Sequence, residues 1–294
     1  MAATGPRIYI MEAGFWSRFW LILQRAMVGT YTNNGLGIAK GAAYSSLLAF
    51  FPVVTTLAAV LVQARANGIS LTIAGILYEA VPPGTEDVVR TLFVVHGRQS
   101  EWLLVLATLL SAFAASGAMM SLMEGFRAVY GIPKERSFLH ERAIAMLLVF
   151  GSALPVVGAS ALIVFGNREE RALIPRLDGV DLRAWLLLFG QLLRYAAAFG
   201  SFVIATAIVY YFGPNRKQNL RHVFPGAFLA TLLWLLATLA FGWYVRYVSN
   251  YNLLYGSIGA SLALLVWMYL LAVITLFGCE FNAASERLRS ESAP

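Results

Sequence analysis

The sequence predicts an all-α fold: a polytopic transmembrane helix bundle of six spans, with an N-terminal interfacial helix and short extracytoplasmic helices. Three observations predict it. Only 13% of the 294 residues are charged, against roughly 25% in soluble domains. Hydrophobic residues make up 59% and the mean hydropathy is +0.70. Apolar runs of about 20 residues or more, each enough to cross ~30 Å of hydrocarbon, recur six times along the chain. A soluble domain is excluded, because this composition could not cover a water-facing surface. Period-2 alternation at the ~10-residue length of barrel strands is absent, so helices are the spanning solution that satisfies the backbone.

The elements follow in order. Residues 1–36 form a cytoplasmic N-terminal segment. Within it GFWSRFWLILQRAMVG sets Phe15, Trp16, Phe19, Trp20, Leu23 and Met27 on one broad helical face and Ser17, Arg18, Gln24 and Arg25 on the other. Aromatics at headgroup depth and arginines toward anionic lipid suit a helix lying on the inner leaflet; packing on cytoplasmic loops is the other reading. Residues 37–282 form the transmembrane domain, with spans at about 38–62, 102–126, 143–166, 184–212, 224–248 and 257–281. Between the first two spans, about residues 63–101, Asn67-Gly68 and Pro82-Pro83-Gly84 punctuate an extracytoplasmic segment. There TEDVVRTLFVVHGR offers a short helix with Thr85 as N-cap and Glu86 and Asp87 in the first turn. Residues 283–294 read as a cytoplasmic tail.

Charge sets the orientation. With six spans both termini share one side, which carries thirteen cations against seven acids, a net of +6, while the other side balances eight against eight. The positive-inside rule then makes both termini cytoplasmic in an inner membrane. The basic loops need no nucleic acid as partner. Arg18 and Arg25 interrupt the first apolar stretch, so no cleavable signal is expected. Cys279 cannot form an internal disulfide and reads as a core-filling thiol.

Charges inside spans are the first candidates for function, since a mid-helix charge costs about 2.5–3.5 kcal/mol on insertion scales. Arg194 stands near mid-depth in the fourth span, where it either holds an anionic substrate group or fixes packing through helix-end carbonyls and a buried acid. Glu124 and Arg127 are three residues apart near the inner end of the second span, so a local ion pair or a gate is expected. Lys40 reads as a snorkelling anchor. Pro52 removes a backbone donor midway through the first span and predicts a kink or local opening, with Pro155 a second possible site. Ser257, Ser261, Leu264, Met268, Leu271, Thr275, Gly278 and Asn282 form one helical stripe expected to face protein, whereas Glu280 lies on the Tyr269, Val273 and Leu276 side. Glu280 and Asn282 are therefore expected to fasten the inner end of the bundle separately, Glu280 pairing with a cation such as Lys40 or Arg127.

Catalysis finds little support. His96, His140 and His222 are far apart in sequence, and no HxxxH, CxxC, GxSxG or P-loop pattern occurs. No cofactor or metal is expected.

AAYSSLLAFFP, the stretch around EGFRAVYGIPKERSF, YYFGPNR followed by FPGA, and YNLLYGSIGASLALLVWMYLLAVITLFGCEFNAASER resemble the YihY family, also called virulence factor BrkB and labelled ribonuclease BN-like. The resemblance runs from about residue 20 to 287. It implies a bacterial inner-membrane protein of six spans that is not a ribonuclease, with suggested roles in transport or transbilayer movement of envelope lipids and in surface integrity. Pro52, Asn215, Tyr255, Gly256, Gly259, Glu280 and Asn282 match its recurring residues. The resulting expectation is a transporter or lipid-translocating protein whose partners are membrane lipids and an amphiphilic or anionic substrate. A non-transporting scaffold that binds envelope proteins is the alternative, and a hydrolase a distant third.

Overall fold

The computed structural model describes residues 14–63, 101–133, 136–173, 180–247 and 257–292. Every regular element among them is a helix: α1 (Phe15–Thr32), α2 (Gly35–Gln63), α3 (Glu101–Tyr130), α4 (Phe138–Leu173), α5 (Val180–Phe212), α6 (Leu220–Tyr247) and α7 (Ser257–Ser292). The helices α2 to α7 are the six spans, each long and apolar enough to cross a membrane. The short helices expected in 63–101 lie outside the described residues.

Local chemistry sets the helix ends. Asn34, at φ 56°, turns α1 into α2, in a left-handed conformation that asparagine tolerates better than most residues. Gly131, at φ 64°, stops α3, while the Ile132 N–H bonds back to the Arg127 carbonyl at 2.9 Å to close a left-handed cap. Gly213 and Pro214 follow α5, and Asn215 again takes positive φ, at 54°. Pro225 falls in the second turn of α6.

Pro52 does not interrupt α2, which stays helical to Gln63. Hydroxyls from α3 stitch this point instead. Ser111 Oγ donates to the Pro52 carbonyl at 2.8 Å and lies 2.7 Å from Thr56 Oγ1, which also reaches the Ala107 carbonyl at 3.3 Å. Small residues then let α2 and α3 lie close along their length, with Gly41 facing Ser121 and Gly117 facing Ser45.

The helix α7 is the hub, packing on α1, α2, α3 and α6. The largest core cluster joins Ala39 and Ala42 of α2, Phe126 and Val129 of α3, Tyr210 of α5, Ala227 and Ala230 of α6, and Leu276 and Cys279 of α7. Cys279 is fully buried there, as a core thiol. At the α6–α7 crossing the backbones touch: a Cβ on Gly226 would collide with the Gly278 carbonyl oxygen, and one on Gly278 would lie 2.7 Å from Ala230 Cβ. The outer surface is the converse. Leu147, Leu154 and Val157 of α4 and Leu188, Phe189 and Leu192 of α5 are exposed, as a lipid-facing belt requires.

The last helix departs from the expected layout. It continues through the polar stretch 283–292, with Ala283, Ala284 and Leu288 buried. The α1 helix lies along this end of α7, with the Phe19 and Phe281 ring centroids 5.8 Å apart and Arg25 paired with Glu291.

Candidate functional site

Two polar assemblies stand out. The first lies at the end of the bundle that carries α1, here called the basal end. Asn282 is 3% exposed and its amide serves the opening of α6: Oδ1 accepts from the Gly226 N–H at 2.7 Å and Nδ2 donates to the Val223 carbonyl at 2.9 Å. The amide thus brackets Pro225, which has no N–H of its own. One stripe of α7 with Thr275 and Gly278 carries it, and the Tyr210 hydroxyl donates to the Thr275 carbonyl at 2.5 Å. Leu264, Thr275, Gly278 and Asn282 of that stripe are buried, whereas Ser261 is exposed.

Glu280 turns the other way. It is 1% exposed, accepts from Asn33 Nδ2 at 2.5 Å, and lies against Gly29, where a Cβ would come within 2.6 Å of Oε2. Its partner is the α1–α2 turn, not Lys40 or Arg127. Lys40 is exposed, as an anchor would be. Arg127 pairs with Glu141 at the start of α4, and Glu124, three residues earlier, faces outward. The helix phase explains this: Glu141 is buried on the α3 side, where a carboxylate needs a cation more than exposed Glu124 does. Arg136 sits nearby in the α3–α4 loop; burial lowers its pKa below the ordinary range, and Glu141 opposes that shift. Further ties hold the α7 extension: Arg216 to Glu286 at 2.5 Å, the Arg287 guanidinium to the Val129 carbonyl at 2.7 Å, and Arg25 to Glu291 at 2.9 Å.

The second is a pair of separate arginines within the spans. Arg194 of α5 is 9% exposed while Leu192, Leu193 and Tyr195 around it are open to the outside, so its side chain is turned into the bundle. Arg142 of α4 is the residue that sequence reasoning missed, having counted it among the loop cations. Its Nη2 donates to the Phe113 carbonyl at 2.9 Å, Nη1 lies 3.2 Å from Met120 Sδ, and Cζ stacks 3.8 Å from the Phe113 ring centroid. Phe113 is about 25 Å along α3 from Tyr130 at 1.5 Å per residue, so this cation reaches far into the spanning part of α3. The available signal was its position: Arg142 begins the long apolar run of the third span. Pro52, Arg142, Arg194 and Glu280 stand on four different helices, α2, α4, α5 and α7.

Among the described residues no group of three or more His, Cys, Asp or Glu could hold a metal ion. The sequence model of the family described as virulence factor BrkB matches residues 28–294. The chain belongs to the virulence factor BrkB family. Relatives of this BrkB chain include the ribonuclease-like protein YfkH of Bacillus subtilis, 27% identical over 88% of this chain and 93% of YfkH. A UPF0761 membrane protein of Azotobacter vinelandii is 29% identical over 94% of this chain and 66% of its own length, and one of Chromohalobacter salexigens 26% over 88% and 62%. The BrkB chain thus spans nearly all of YfkH but less than two thirds of the Chromohalobacter protein. No solved structure matches it. Of the residues that the resemblance singles out, Pro52, Asn215, Gly259, Glu280 and Asn282 are placed above or in α7, while Tyr255 and Gly256 lie outside the described residues.

Proposed function

We propose that this multi-pass membrane protein is an inner-membrane transporter or lipid-translocating protein of envelope homeostasis, with both termini cytoplasmic and an anionic amphiphile as substrate. The observation that carries the reading is the inward-turned Arg194. A guanidinium facing lipid at mid-span would be costly, and intramembrane ionisable groups that face the bundle mark substrate pathways. The basic balance of the basal loops supports the orientation. The ribonuclease-like wording belongs to YfkH.

The test is reconstitution. Purified protein in liposomes should accelerate transbilayer movement of a fluorescent phosphatidylglycerol over empty vesicles. Arg194→Gln should slow it about tenfold while the protein stays helical and monodisperse. Failure of the wild type to move any envelope lipid would replace this reading with that of a scaffold for envelope proteins.

A further inference from the structure

We infer that Arg142, where α4 packs on α3, is a phosphate subsite. The argument begins with an imbalance. A guanidinium has five N–H donors and carries its charge at any physiological pH. Arg142 meets one neutral carbonyl, one thioether and one ring face, and its Nε is buried with no partner. No carboxylate pairs with it among the described residues. Elsewhere in this chain the acids do their pairing: Arg127 has Glu141, Arg216 has Glu286 and Arg25 has Glu291. A cation inside a span without a counter-ion costs several kcal/mol unless an anion or water compensates it.

Polar groups of two further residues stand near the guanidinium. Gly117 brings α3 close to both Arg142 and Ser45: a Cβ there would stand 4.0 Å from Arg142 Nη1 and 3.9 Å from Ser45 Oγ. Ser45 therefore keeps a hydroxyl in the same neighbourhood as the guanidinium. Behind it Ser116, fully buried, donates to the same Phe113 carbonyl at 2.7 Å that Arg142 uses. Phosphate suits the fork of a guanidinium better than an ammonium, because two N–H groups can engage two oxygens at once. Phe113, whose ring lies beneath the guanidinium, is 53% exposed, so the guanidinium is approached from the bilayer side of α3. That places a lipid headgroup ahead of a soluble phosphate as the source.

The assignment rests on the proposed transport reading only for its purpose, since binding can occur without movement. It is tested on the full-length protein in detergent by native mass spectrometry against three probes: phosphatidylglycerol, diacylglycerol of the same acyl chains, and inorganic phosphate. Wild type should hold one phosphatidylglycerol at least tenfold more tightly than diacylglycerol. Arg142→Gln should erase that preference, and Arg142→Lys should keep part of it. Inorganic phosphate binding as well as the lipid would keep the subsite but assign it to a soluble anion. A well-folded Arg142→Gln protein with unchanged preference would overturn the proposal. Should Arg142→Gln fail to fold, a photoreactive phosphatidylglycerol on wild type decides. Adducts should map to the Phe113–Met120 and Arg142 peptides, and adducts confined to other helices would overturn the subsite. Binding of this kind in a protein that moves no lipid in liposomes would leave the subsite standing and end the transport reading.

Discussion

A single carboxylate shows how much of this molecule lies beyond one-dimensional reading. Glu280 could be placed by helix phase on the face opposite the Asn282 stripe, and the structure keeps that phase. Its partner could not be placed, because Asn33 lies 247 positions earlier in the chain and is neutral. A search restricted to opposite charges passes over it. Glu280→Ala should leave the Asn33 amide without its acceptor and weaken the hold on α1. Limited trypsinolysis at Arg18 and Arg25 should then run several-fold faster than in wild type, and equal rates would sink the clasp. Asn282→Leu removes two buried hydrogen bonds to the backbone of α6, at about 1 kcal/mol each. Its thermal unfolding midpoint should fall clearly below that of Ser290→Ala, a change at an exposed position near the end of α7. Cys279, fully buried, should resist a maleimide until the protein is denatured.

Helices were the most legible elements. Six continuous apolar runs leave few alternatives when the backbone must satisfy itself inside a bilayer. All six expected spans lie on helices, although their ends moved. The sixth ran eleven residues past its expected end at residue 281, where α1 lies along it. The proline reading shows the opposite limit. Pro52 predicts lost hydrogen bonding, but only the fold reveals that Ser111 and Thr56 supply hydroxyls at that turn. Ser111→Ala should cost about 1 kcal/mol from the lost bonds and loosen α2 near Pro52. Hydrogen–deuterium exchange should rise at residues 53–56 and not at Ala39 or Ala42. Uniform exchange across α2 would show that the hydroxyls do not brace the proline.

At the scale of the whole molecule, the bundle is held by close approach around one helix. Gly226 and Gly278 leave no room for a methyl group, so Gly226→Ala should do more harm than its size suggests. Size-exclusion profiles should show it aggregated or poorly expressed where Ala230→Gly, which only removes a methyl, remains monodisperse. The family and the six-span plan could be read from the sequence because both depend on runs and local words. The surroundings of Arg142 could not, since they depend on which side of α4 meets α3. The crossing at Gly278 also has a mechanical meaning. The uninterrupted α7 extends about 31 Å to one side of that contact and about 21 Å to the other. With the two glycines as a fulcrum, a tilt of about 10° would swing Ser257 by about 5 Å and Ser292 by about 4 Å in opposite directions. The straps from α1 and the basal loops grip the shorter arm, so they act on the one rod whose longer arm lies in the bilayer.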